Sequence, residues 1–279
     1  MTANTLAAID RLIEAFSARR KWRALAPIER KLELAMQAAF RKQGRAFLAA
    51  LNHRAGVLSG RLRESPGDLL PPDWEAIFLE IAVDLVPFNT PIQAAAESAL
   101  LTGGRHAVAD LAVEGAFDLA NPRAAAYLEA HAAEAVTAIN EATRAELRRV
   151  IAAGVREGQS YDQIARTIRE RFAGFSTPQP QLHIRSRAHL VAVTETSAGY
   201  EQGNRAVADQ LQAEGLQMEK SWLDVGDSRV DPDCADNAAT GWIPIADSFP
   251  AGASEPPQHP ACRCTALQRR VPNAARVAA

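Results

Sequence analysis

All three cysteines of this 279-residue chain fall between positions 234 and 264, and that placement limits what the last third can fold into. The flanking segments Leu216–Trp222, Gly241–Ile245 and Thr265–Gln268 read as short strands. A β unit this small, with few large apolar residues, buries too little surface to hold itself together. A bound metal or a disulfide would supply the missing constraint.

Upstream the texture is helical. Leu6, Ile9, Leu12, Ile13 and Phe16, then Leu32, Leu34, Met36, Phe40, Phe47 and Leu51, recur at helical spacing, and Pro27 is expected to divide them into two helices. Asp73 is placed to cap a helix from Trp74 to about Leu85, which Pro87 and Pro91 would stop. A helix weakened at Gly103-Gly104 is expected over Ile92–Phe117. Asn121-Pro122 then opens a long one with the stripe Val136, Ile139, Leu147, Val150 and Ile151, ended by Gly154 and Gly158. A short helix through Ile164, Ile168 and Phe172 and another from about Leu182 to Ala213 complete the series. The expected class is mainly α with a small C-terminal β unit (α+β): a helical region 1–120, a long-helix region 121–214, and a short-stranded, Cys/His-stapled subdomain with tail over 215–279.

Composition narrows the function classes. Charged residues make up 23% of the chain and the formal net charge is -2, so nothing pulls the whole molecule toward nucleic acid. No stretch reaches the roughly 20 apolar residues that cross a bilayer, and the first residues lack a secretory pattern, so a cytoplasmic origin without a membrane partner is expected. In a reducing compartment three clustered cysteines lean toward metal.

The candidate ligands can be named. Cys262 and Cys264 stand one residue apart, His259 precedes them, and Cys234 arrives from a separate loop, a Cys3His set of the kind that closes around one structural zinc ion. Asp231 stands where the first thiol of a Cys-x-x-Cys knuckle would stand, and so is an alternative oxygen ligand. The competing reading has the cysteines as buried small side chains or a disulfide pair, His259 bonded to a carbonyl, and Asp227 with Arg229 as a loop-ordering ion pair.

The same residues carry a family resemblance. Trp222, Asp227-x-Arg229, Cys234, Gly241, Phe249 and Pro257-x-His259-Pro260-x-Cys262-Arg263-Cys264 resemble the bacteriophage head morphogenesis domain of Mu gene-F-type and SPP-type minor head proteins. Ala192-Val193-Thr194-Glu195-Thr196 is similar to that family's Ala-Arg-Thr-Glu-Thr helix, with valine at the arginine position. Many relatives carry cysteine where Asp231 stands. The resemblance covers roughly residues 140 to 270.

It implies a virion component, made in the host cytoplasm and built into the head interior or portal vertex during procapsid assembly. Its partners would be the portal and other head proteins. DNA is a further candidate through Arg144, Arg148, Arg149, Arg166, Arg169, Arg171, Arg185 and Arg187, although the interleaved acids favour a solvated helix surface.

The alternative is a metal-dependent enzyme or effector domain, of nuclease or transferase type, built on Glu195, Asp227, Arg229, His259 and a thiol. The chain has no His-Glu-x-x-His helix, no deaminase Pro-Cys-x-x-Cys pair, no phosphate-binding loop and no Gly-x-Ser-x-Gly elbow. The expectation is therefore a non-catalytic protein.

Overall fold

The computed structural model describes residues 3–59, 86–159, 161–176 and 186–271. Helices α1 (Ala3–Ser59), α2 (Val86–Asp110), α3 (Pro122–Arg156), α4 (Tyr161–Ser176) and α5 (Arg187–Ala213) precede strand β1 (Met218–Leu223), helix α6 (Pro232–Ala239) and strands β2 (Trp242–Pro244) and β3 (Thr265–Arg270). The architecture is the expected α+β class, and among the described residues the strands all lie in the C-terminal part. The helix expected over Trp74–Leu85 and the start expected at Leu182 lie outside the described residues.

Two prolines behave otherwise than expected. Pro27 lies inside a continuous α1 rather than between two helices. A proline there removes one hydrogen bond and crowds the preceding turn. Burial on both sides of it offsets that cost: Leu25 is buried with Ala99 and Tyr200, and Ile28 packs against them. Pro87 stands in the first turn of α2, where the amides have no helical partner and a proline loses little, whereas Pro91 lies inside the helix and costs it one hydrogen bond without stopping it.

The Gly103-Gly104 pair does not weaken α2, which runs on to Asp110 and ends short of the expected Phe117. A Cβ at Gly103 would meet the Tyr200 carbonyl oxygen at 1.9 Å, and one at Gly203 would meet the Leu100 carbonyl oxygen at 2.0 Å. The glycines let α2 and α5 pack backbone to backbone. Ala112, at a φ of 49°, turns the chain out of α2.

Asn121 caps α3 as expected, its Oδ1 accepting from the amides of Arg123 and Ala124 at 3.0 and 3.3 Å. Gly158, at a φ of 63°, ends that helix. Gly154 has a different task, because a Cβ there would lie 2.6 Å from Ile164. At the end of α5, Gly215 adopts a φ of 94° while the Leu216 amide reaches back to the Leu211 carbonyl, a left-handed exit that glycine allows.

The sheet is antiparallel in the order β2-β1-β3. Ser221 of the central strand pairs with Trp242 on one side and Leu267 on the other. Met218, Lys220 and Trp222 point inward from alternate positions of β1. Helix α6 was not expected: the segment reads as loop, but Asp231 caps it and Pro232 fills its first position.

The chain divides into two compact units, one of Met1–Lys31, Gln93–Ala130 and Val191–Ala279, the other of Leu32–Ile92 and His131–Leu190. In the first, Leu100, Ala107, Phe117, Val207, Leu211, Met218 and Ile245 form the main core. In the second, the Phe40 ring packs against those of Phe88 and Phe175, and the Arg187 guanidinium lies 5.2 and 4.8 Å from the centres of Phe40 and Phe175.

Candidate metal centre

Two pieces of chain deliver the cysteines. Cys234 sits in the first turn of α6, not in the loop expected for it. Asp231 sets that helix start, its carboxylate accepting the Asp233 amide at 3.0 Å. Cys262 and Cys264 flank Arg263 just before β3. Their turn is closed by the Cys262 amide donating to the His259 carbonyl at 3.0 Å.

The turn is also held from α5. The Ala261 amide donates to Thr194 Oγ1 at 3.0 Å, and Ala261 itself adopts a φ of 60°. Thr196 is fully buried and returns its hydroxyl to the Ala192 carbonyl at 2.8 Å. The Thr194-Glu195-Thr196 segment therefore contributes support to the cysteine turn through Thr194.

The three sulfurs lie within 4.8 Å of one another, and all three residues are buried, at 1, 2 and 3% exposure. Cys234 and Cys262 are 3.7 Å apart, Sγ to Sγ, and no disulfide joins any of the three. Sulfurs at two corners of a tetrahedron with metal bonds of about 2.3 Å are ~3.8 Å apart. The cluster can hold a metal ion.

Its surroundings suit an ionised, metal-bound sulfur. Trp222 and Phe249 pack over the cysteines, their rings 5.1 Å apart and nearly perpendicular. The indole Nε1 of Trp222 is buried without a hydrogen-bond partner among the described residues, and it favours the ionised form of Cys264. A neutral thiol is a weak acceptor, whereas a thiolate gives such an orphaned donor a strong one.

The thiols do not titrate alike. Donation from the Cys264 thiol, and then from the Cys264 and Gln258 amides, holds Cys262 down to about 5. Burial and the charge on Cys262 push Cys234 up to about 12, and Cys264 is raised chiefly because its proton is shared with Cys262.

His259 and Asp231 take different places around this group. His259 Nδ1 lies 2.9 Å from the Pro260 carbonyl and Nε2 lies 3.5 Å from Cys234 Sγ. With Nδ1 as the donor, the Nε2 lone pair is left for a ligand role. Asp231 is exposed at the start of α6 and spends a carboxylate oxygen on the backbone. The structure brings Cys234, Cys262 and Cys264 together, sets His259 beside Cys234, and uses Asp231 as a cap.

Sequence reasoning missed a buried polar network behind the centre. Lys21 Nζ donates to Ser197 Oγ at 3.0 Å, Glu201 Oε1 at 2.7 Å and the Cys264 carbonyl at 2.7 Å. Glu201 also accepts from the Thr265 hydroxyl at 2.6 Å and the Ala266 amide at 3.1 Å. Neither charge stood out in sequence, since each reads as an ordinary polar residue of an amphipathic helix.

Residues 145–267 match the family model described as Phage Mu protein F like protein, a span that includes β1, α6, β2 and the three cysteines. Neither the curated proteins nor the solved structures compared with the chain give a match.

Proposed function

We propose that this chain, whose residues 145–267 match a phage head morphogenesis family, is a minor head protein that acts in head assembly and docks on other head proteins, the portal among them. The cysteine cluster is the observation that carries the structural half of this reading. Its sulfurs are almost wholly shielded inside a packed group that includes Trp222 and Phe249. A closed set of donors of this kind fits a zinc ion that holds a fold together, with Cys234, Cys262 and Cys264 as ligands and His259, 3.5 Å from the Cys234 sulfur, as the fourth. The ion would supply the constraint that a three-stranded sheet of this size needs.

A catalytic reading would use the contact between Cys234 and His259, since Cys262, the thiol with the lowered pKa, is buried. A thiol used as a nucleophile needs a lowered pKa, whereas Cys234 is pushed up to about 12 by burial and by its neighbour Cys262. A catalytic dyad is therefore the weaker reading, and the protein is proposed to be non-catalytic.

Protein partners also fit better than DNA. Arg144 pairs with Glu141 at 2.9 Å, Arg149 with Glu146 at 2.7 Å and Arg171 with Glu146 at 3.1 Å. Arg187 donates to the Ile139 carbonyl at 2.7 Å, and burial lowers it to about 10. These pairings reduce the positive charge offered to phosphates.

The test is to purify particles from cells expressing a tagged chain and to crosslink them. The expected result is the chain in procapsids or heads at low copy, with crosslinks to the portal. Its absence from particles would overturn the assignment, and crosslinks to head proteins other than the portal would overturn the portal contact.

A further inference from the structure

We propose that Asp227 and Arg263 form a clamp that holds the Cys262–Cys264 turn in its metal-binding geometry, with Asp227 a positioning residue that touches no metal itself. The inference rests on the zinc reading of the cysteine cluster.

Arg263 stands between two of the three sulfur ligands, so the direction of its side chain and the shape of that turn are tied. Its guanidinium meets both oxygens of Asp227, NH1 to Oδ2 and NH2 to Oδ1, each at 2.7 Å. That two-bond fork fixes orientation as well as distance. The Arg263 side chain is 12% exposed and that of Asp227 35%, so the fork is shielded on its arginine side and open to solvent on the other.

Asp227 is itself fixed by its own loop. The Arg229 amide donates to Asp227 Oδ1 at 3.0 Å, the Arg229 guanidinium reaches Oδ2 at 3.1 Å, and the Val230 amide donates to the Asp227 carbonyl at 3.2 Å. Gly226, at a φ of 65°, lets the chain turn immediately before it. This loop runs on into Asp231 and α6, which carries Cys234. The clamp thus joins the segment that delivers Cys234 to the turn that delivers Cys262 and Cys264.

Charge reinforces the geometry. Three thiolates around a dication leave a net negative centre, and the Arg263 cation lies next to it in sequence. Asp227 keeps that cation in one position. Groups that orient metal ligands in this way typically change metal affinity by about 10–100-fold when removed.

The experiment uses the full chain loaded with zinc and follows transfer of the metal to a chromogenic chelator, together with the absorption of the cobalt-substituted protein. Asp227→Asn is expected to release zinc at least tenfold faster than wild type and to broaden the cobalt spectrum. Arg263→Lys, which keeps the charge but not the fork, is expected to behave like Asp227→Asn. Arg149→Gln, which removes an exposed arginine paired with Glu146 and touches neither Asp227 nor a cysteine, is expected to release zinc at the wild-type rate. Asp227→Glu replaces Asp227→Asn should the latter not purify folded, with the same expectation. Wild-type release rates in both clamp variants would overturn the clamp while leaving the zinc reading in place. A wild-type chain that takes up neither zinc nor cobalt would overturn the zinc reading, and the clamp with it.

Discussion

Lys21, on the first helix, donates to the main-chain carbonyl of Cys264 at 2.7 Å, so the residue that carries one of the three clustered sulfurs is tied through its backbone to α1. The same amine pairs with Glu201 at 2.7 Å, and both side chains are buried, at 3 and 0% exposure. An N-terminal segment outside the family match is therefore part of the support for the cysteine turn.

Removing one partner of this pair should be costly. Lys21→Met leaves the Glu201 charge buried without its cation, and breaking a buried pair costs about 3–5 kcal/mol. Chemical denaturation should show that loss. The Lys21→Met, Glu201→Gln double variant is expected to be less destabilised than the two single losses added together, and strict additivity would contradict the pairing.

Zinc binding should release protons. Cys234 is pushed up to about 12 and Cys264 is raised further, so both are protonated at neutral pH, whereas Cys262, held down to about 5, is already ionised. Coordination by all three sulfurs must displace about two protons, and affinity must rise as pH rises between about 6 and 8. Calorimetric titration in buffers of different ionisation enthalpy measures that number. Release of no protons would contradict this description.

The α2–α5 contact should be intolerant of a single methyl group. A Cβ at Gly203 would lie 2.0 Å from the Leu100 carbonyl oxygen and 2.8 Å from the Gly104 amide nitrogen, both backbone atoms that cannot rotate away. Gly203→Ala is expected to destabilise the protein by about 1–3 kcal/mol or more, because one helix must shift. A melting temperature equal to that of wild type would show that the helices are not packed this closely.

Thr194 should matter through the turn it holds. Thr194→Val removes the acceptor of the Ala261 amide, a loss of about 1 kcal/mol. The variant should also lose zinc to a chelator faster than wild type. A fall in stability without faster metal release would separate Thr194 from the centre.

Much of the fold was legible where local signals and burial agree. Val136, Ile139, Leu147 and Ile151 recur at helical spacing, and all but Val150 of the expected stripe are buried. Asn121-Pro122 begins α3 because a side-chain cap and a first-position proline are both local devices. The role of Pro27 was not legible, since Leu25 and Ile28 meet partners distant in sequence that keep the helix intact. Gly103 misled for a similar reason: its missing side chain answers to Tyr200 on another helix.

At the site, the gathering of three cysteines was readable from spacing, and the helix-capping role of the Asp231 carboxylate was not. Asp-Pro is as much a helix start as aspartate is an oxygen donor, and the structure uses it as the start. Lys21 and Glu201 could not be paired in advance, because they stand 180 positions apart and each lies on a helix where a charge is ordinary. Arg263 and Asp227, 36 positions apart, were visible singly, but their fork depends on the turn that brings Cys262 and Cys264 round to Cys234.

The central claim is that the three buried cysteines hold one metal ion that staples the C-terminal β unit. Elemental analysis of the purified full chain, by mass spectrometry of its metals against protein concentration, tests it most directly. About one zinc per chain is expected. A chain free of metal, with all three thiols titrating as free, would contradict it.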